Sequence, residues 1–233
     1  MAVKYLLKYR MDYSEIIISD PGSVKQGNNC NFAKNFKKQK VMVLPIVAYG
    51  HPVLRKLAQD IDADFPLLDK LIADMWETMY ASNGVGLAAP QVNKDIRLFV
   101  ADSQQIFNNL EPDEKSKFPD EPGIKQVFIN AHIEEINGEK WSYNEGCLSI
   151  PKIREDISRN QNVTLRFVDE NFQPHVEAYR GITARIVLHE YDHIEGKLFI
   201  DYLTPLKRKL MKGKLDDISK GKVNVDYKMV FLK

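Results

Sequence analysis

Two histidines set four residues apart constrain this chain more than any other feature. In His189-Glu190-Tyr191-Asp192-His193 the spacing acquires chemical meaning on an α-helix. At about 100° per residue, positions four apart lie roughly 40° apart around the axis, so both imidazoles reach one ion. Glu190 lies about 100° further round, outside the pair but within reach of a water on that ion. The helix is predicted over about Thr183–Glu195, with Gly196 as its stop. The bland alternative is a surface helix with two hydrogen-bonded histidines.

Two histidines make an incomplete centre, because a catalytic metal usually takes three protein ligands and keeps one open position. The extended zinc-protease pattern continues with a glycine and a third histidine. Here Gly196 fits, but Phe199 holds the last place and cannot ligate. Upstream, Glu145-Gly146-Cys147-Leu148-Ser149 reads as a turn or strand edge from which a thiolate can face an ion. Taken alone, Cys147 reads as a small buried apolar residue. Beside a histidine pair, in a chain whose other cysteine is Cys30, it becomes the candidate third ligand. A third element, Gly84-Val85-Gly86-Leu87-Ala88-Ala89-Pro90-Gln91, follows a helical segment. Its small residues let backbone approach a ligand or a packed neighbour, and Gln91 adds an uncharged amide donor. It runs into proline after a helix, which is poor context for a dinucleotide-binding turn. By itself it also fits a tight turn with a structural glutamine.

The rest of the chain frames these motifs. Its 233 residues suit one large domain or two small ones. Two cysteines argue against a disulfide scaffold and for a reducing compartment. No run approaches the roughly 20 apolar residues of a membrane span. The net charge of +1 hides an uneven distribution: residues 1–41 carry +5, residues 205–233 carry +6, and the middle carries −10. Residues 1–41 lack a sustained apolar period and resemble neither a signal nor a transit peptide. They read as a basic extension outside the catalytic fold, with residues 42–233 as a single catalytic domain. Leu68, Leu71, Ile72, Met75, Trp76 and Met79 predict a helix, begun near Asp64-Phe65-Pro66 and ended by Asn83-Gly84. Short strands are predicted at Ile96–Ala101, Gln126–Asn130, Val163–Val168 and His175–Tyr179, with an exposed loop over Ser103–Gly123. Val223, Val225, Tyr227, Met229 and Phe231 alternate as a closing strand. Strands without regular intervening helices imply an α+β fold, mainly antiparallel. The sequon at Asn162 stands without any other sign of secretion.

GVGLAAPQ, EGCLS and HEYDH, in that order, resemble the three motifs of peptide deformylases, and Tyr49–Arg55 resembles that family's opening segment. The resemblance covers about residues 42–204. It implies an α+β fold with antiparallel sheets around the helix that carries HExxH. It also implies that Cys147, His189 and His193 hold the metal and that Glu190 is the catalytic acid/base. Gln91 and the Leu148 N–H would polarise the formyl oxygen, and Gly86 would contact the substrate main chain. The implied ion is Fe2+ in the cell, with Zn2+, Ni2+ or Co2+ able to substitute. The implied substrate is the N-formylmethionyl end of a nascent polypeptide, which yields formate, in the bacterial cytoplasm rather than an organelle.

That chemistry is coherent without the family. A metal acidifies its water, a thiolate ligand tempers the effect, and Glu190 then moves the proton from water to the departing amine. Ile182 and Ile186 lie seven and three residues before His189, on nearly the same helix face. With Val85 they can wall an apolar pocket or serve as ordinary core. Arg154 is a candidate peptide contact. The basic run from Lys207 to Lys214 is either a ribosome contact or a solvated helix face; neither a membrane nor a sequence-specific nucleic acid is expected as a partner. Two other functions compete, an endopeptidase built on the same pentad and a binding protein in which the metal only staples the fold.

Overall fold

The continuous apolar run Leu98-Phe99-Val100-Ala101 is fully buried. The computed structural model describes residues 40–115 and 123–232. In chain order its elements are β1 (Ile46–Val47), α1 (Leu68–Ala81), β2 (Gly86–Ala88), β3 (Leu98–Asp102), α2 (Gln104–Asn108), α3 (Pro112–Lys115), β4 (Lys125–Cys147), β5 (Ile150–Val168), β6 (Pro174–Arg180), α4 (Gly181–Ile194), α5 (Pro205–Ser219) and β7 (Met229–Val230). Five strands form an antiparallel sheet in the order β2-β3-β4-β5-β6. The predicted α+β class holds. Among the described residues no helix is long and apolar enough to cross a membrane.

β3 is buried along its whole length, because a helix covers each face of the sheet there. Leu98 and Val100 join one apolar cluster with Met75 and Met79 of α1. Phe99 and Ala101 join another with Ile182, Ile186 and Val187 of α4. Residues two apart share a face, so one strand feeds both layers. Phe128 of β4 is fully buried against Phe99, Phe167 and Tyr179, with ring centroids at 4.5, 4.7 and 5.7 Å. A third cluster packs α5 against the start of β5 through Ile150, Ile157, Phe199, Leu215 and Ile218.

Both main helices end as their sequences indicate. At the end of α4, the Gly196 N–H donates to His193 and the Lys197 N–H to Asp192, with Gly196 at φ +68°. This double closure requires a left-handed residue, which glycine supplies at least cost. α1 closes the same way with Asn83, at φ +56°, in the left-handed place. Its start differs from expectation. Leu67 is left-handed, so the helix begins at Leu68 rather than at Asp64-Phe65-Pro66.

Three further expectations need correction. Ser103–Gly123 is not simply an exposed loop. It contains α2 and α3, Phe107 is buried, and the buried Ser103 hydroxyl lies 2.9 Å from Thr183 Oγ1 and accepts the Ile124 N–H. β4 and β5 extend far beyond the predicted segments, because their outer halves pair with each other and need no apolar face. The closing strand shrinks to Met229–Val230, paired in parallel with β1. The chain divides into Met1–Lys40 and Val41–Lys233. The expectation for the N-terminal extension lies outside the described residues, apart from 40 and 41.

Phe128→Ala should cost about 3–5 kcal/mol of stability in urea unfolding, from lost transfer energy and an unfilled cavity. Leu206→Ala, at an exposed position of α5, should change it by less than about 0.5 kcal/mol.

Candidate metal centre

The long β4–β5 hairpin and helix α4 meet where the three motifs converge. β4 ends at Cys147, the chain turns through Leu148 and Ser149, and Ile150 pairs back with Cys147. That turn points the thiol at α4. Cys147 Sγ lies 3.2 Å from His193 Nε2, and the ligand atoms of Cys147, His189 and His193 all fall within 4.8 Å of one another. Bonds of about 2.0–2.3 Å at tetrahedral angles would separate such atoms by roughly 3.4–3.6 Å. One sulfur and two ring nitrogens in this arrangement fit a first-row divalent cation. Phe199, at the place of the third histidine in the extended protease pattern, stacks on the His189 ring with centroids 6.1 Å apart.

A buried charge network aims the ligands. His189 Nδ1 lies 2.9 Å from Glu145 Oε2, which leaves Nε2 to face the thiol. A carboxylate behind a ligating histidine selects the tautomer and ring orientation. Glu145 is gripped by both nitrogens of the Arg159 fork, at 2.8 and 3.0 Å, and by Arg185 at 2.9 Å. Arg159 also donates to Asp192 at 2.6 Å, and the Tyr202 hydroxyl donates to the same carboxylate. Burial disfavours the charge on Glu145, but its bonds to His189 and Arg159 outweigh that and hold its carboxyl far below the usual carboxylate range. Burial likewise opposes charge on His189, yet the bonds to Cys147 and Glu145 raise its affinity for a proton well above normal. His193 moves the other way, pushed down by burial and by the neighbouring His189. The two imidazoles thus differ in proton affinity because His189 has an anionic partner behind it and His193 has none among the described residues.

Glu190 lies within the electrostatic reach of this network without a hydrogen bond to it among the described residues. It is 5 % exposed, its Oε2 has no hydrogen-bond partner among the described residues, and burial pushes its carboxyl up to about 7. A Cβ placed on Gly86 would stand 2.7 Å from the Glu190 side-chain carbons. The glycine is thus required by close approach, and β2 runs directly across the carboxyl.

The other residues expected from the sequence lie as follows. Gln91 is 2 % exposed. Its Oε1 accepts the Ala88 N–H at 2.8 Å, and its Nε2 lies 3.5 Å from Cys147 Sγ and 3.4 Å from Ser149 Oγ. Leu148 occupies the hairpin turn beside Cys147. Val85, Ile182 and Ile186 belong to one apolar cluster, with both isoleucines buried in it. Arg154 is exposed, bonded to Asn144, and lies along Gly146, the residue before Cys147 in the chain. Glu145, Arg159, Arg185 and Asp192 are the residues that sequence reasoning missed. Their signal was charge in apolar surroundings, such as Arg185 between Ala184 and Ile186.

A family model described as polypeptide deformylase matches residues 43–209. A peptide deformylase of Christiangramia forsetii is 53% identical over 192 residues, covering 82% of this chain and 96% of that protein. One from Flavobacterium psychrophilum is 50% identical over 188 residues, covering 81% and 96%. The crystal structure of a peptide deformylase from Legionella pneumophila superposes with a TM-score of 0.64 at 33% identity, covering 77% of this chain and 97% of that one.

Arg159→Leu should cost about 3–5 kcal/mol in chemical unfolding, because it removes the guanidinium that pairs with both buried carboxylates, Glu145 and Asp192. Lys56→Ala, which removes an exposed pair with Asp95, should cost less than about 1 kcal/mol.

Proposed function

This chain belongs to the peptide deformylase family, and we propose that it hydrolyses the formyl group from the N-terminal formylmethionine of newly made polypeptides, releasing formate. One observation carries the reading: a buried carboxyl, Glu190, with no hydrogen-bond partner among the described residues, is electrostatically coupled to His189, one of a thiol and two imidazoles that converge on one point.

Cys147, His189 and His193 would hold a divalent ion, Fe2+ in the cell with Zn2+, Ni2+ or Co2+ able to replace it, which would supply Lewis-acid polarisation and acidify water. Glu190 takes the proton from the attacking water and returns it to the departing amine. A carboxyl shifted towards neutrality suits a group that must accept and then donate. As the formyl carbon becomes tetrahedral, Gln91 Nε2 and the Leu148 N–H meet the growing charge on its oxygen. One such donor is typically worth about 3 kcal/mol. The nucleophile is water, so no acyl-enzyme forms.

Gly86 offers backbone to the substrate main chain, and the absence of a side chain there leaves room for both peptide and Glu190. Val85, Ile182 and Ile186 wall the apolar side on which an unbranched thioether rests. Arg154 reaches the peptide beyond the methionine. The exposed basic positions of α5, Lys207, Arg208, Lys209, Lys212 and Lys214, suit a transient contact with the ribosome in a bacterial cytoplasm. Residues 42–233 act as the catalytic domain, with residues 1–41 outside it.

Formate release from formyl-Met-Ala, assayed after anaerobic purification with metal analysis, tests the reading. Activity is expected there and not on an internally blocked peptide; the reverse preference would replace deformylation with endopeptidase action. Glu190→Gln should keep its metal and lose about 10²–10⁴-fold in turnover. Cys147→Ala should lose metal and activity together. Unchanged activity in Glu190→Gln would leave the metal as a structural staple. Deleting residues 1–41 should leave turnover per chain unchanged.

A further inference from the structure

The Leu148–Ser149 turn is held from outside by groups that belong to none of the three motifs. The Tyr227 hydroxyl donates to the Leu148 carbonyl at 2.7 Å. The next carbonyl, Ser149, accepts the Tyr49 N–H at 2.8 Å. Both donors stand on one support. Tyr49 lies two residues after β1 and Tyr227 two residues before β7, and these strands pair in parallel. The pairing is secured by the Ile46 N–H to Lys228 and the Ala48 N–H to Val230, at 2.9 and 2.8 Å. This small ribbon lies outside the five-stranded sheet and grips both carbonyls of the turn.

The turn has little other freedom. The Leu148 side chain packs on Gly84, with Cδ1 3.1 Å from where a Cβ on that glycine would stand. The Ser149 hydroxyl lies within reach of Gln91. What remains adjustable is rotation of the Leu148–Ser149 peptide, and the Tyr227 hydroxyl restrains it. In a two-residue turn, rotation of one peptide plane carries its neighbour along. The neighbour here contains the Leu148 N–H and follows directly from Cys147. A displacement of about 1 Å in such a group can cost up to 10²-fold in rate.

We propose that Tyr227 is a positioning residue for deformylation: by holding the Leu148 carbonyl, its hydroxyl keeps the Leu148 N–H and Cys147 aimed into the site. It acts through the turn rather than on the substrate, and the assignment rests on the deformylase reading above. A residue near the end of the chain thereby completes a site that the motifs alone leave loosely held on one side.

Tyr227→Phe keeps the ring and removes only the hydroxyl. In the holoenzyme at matched metal content, kcat on formyl-Met-Ala should fall about tenfold, with KM within about twofold and the melting temperature within about 2 °C of wild type. Loaded with Co2+, the variant should also show a displaced sulfur-to-metal absorption band, because Cys147 adjoins the released residue. A kcat within twofold of wild type overturns the proposal. So does a loss that only tracks missing metal or unfolded protein, or a rise in KM alone. Failure of the wild-type enzyme to release formate would instead overturn the deformylase reading, so the two are separable.

Discussion

The Glu145 carboxylate, buried between two guanidinium groups and an imidazole, is the interaction on which the rest of the site depends. A charge withdrawn from water is costly unless fully paired, and separating its partners inside the protein is costlier still. Here the partners come from different elements: Arg159 from β5, Arg185 and His189 from α4. The hairpin therefore cannot slide along the helix without uncovering a buried ion. Because Cys147 follows Glu145 by two residues, the same constraint sets the sulfur opposite the histidines. Because Glu145 occupies Nδ1 of His189, it also decides which ring nitrogen is left to ligate.

The apolar layers and this polar junction divide α4 between them. Its first half packs Ile182, Ile186 and Val187 into the cluster shared with β3 and β4. Its second half carries the histidines, Glu190 and Asp192 into the junction. The sheet supplies rigidity, and the helix emerges from it with its polar end already oriented. Gly86 belongs to both regions, paired with Ala101 in the sheet and pressed against the Glu190 carboxyl. Burial there raises the proton affinity of Glu190 without supplying it a hydrogen-bond partner among the described residues.

Much of this was legible one residue type at a time. His189 and His193 four apart mark a helix and a candidate ligand pair together, and Gly196 marks that helix's end because few residues accept a left-handed backbone. β3 was nearly complete in the sequence, since burial on both faces demands continuous apolar residues. The outer halves of β4 and β5 were not, because exposed strands satisfied by each other's backbones carry no apolar pattern. Val223, Val225 and Tyr227 alternate as a strand would, yet the described ladder there holds only Met229 and Val230, and Tyr227 is turned to the Leu148 carbonyl instead. Ser103 and Phe107 sit in a polar stretch that composition assigns to solvent, and packing against Thr183 and the sheet draws them inside.

The sequence by itself determined the helix that spaces His189 and His193 and the residue types available as candidate ligands and acid, because helical periodicity is local and residue chemistry is intrinsic. Only the tertiary structure decided that Cys147 meets those histidines, that Glu145 rather than solvent backs His189, and that Tyr227 reaches the turn from about eighty residues away along the chain. Those contacts join segments remote in sequence. Their free energy comes from burying charge and apolar surface together, a property of the assembled layers that no single stretch of residues possesses.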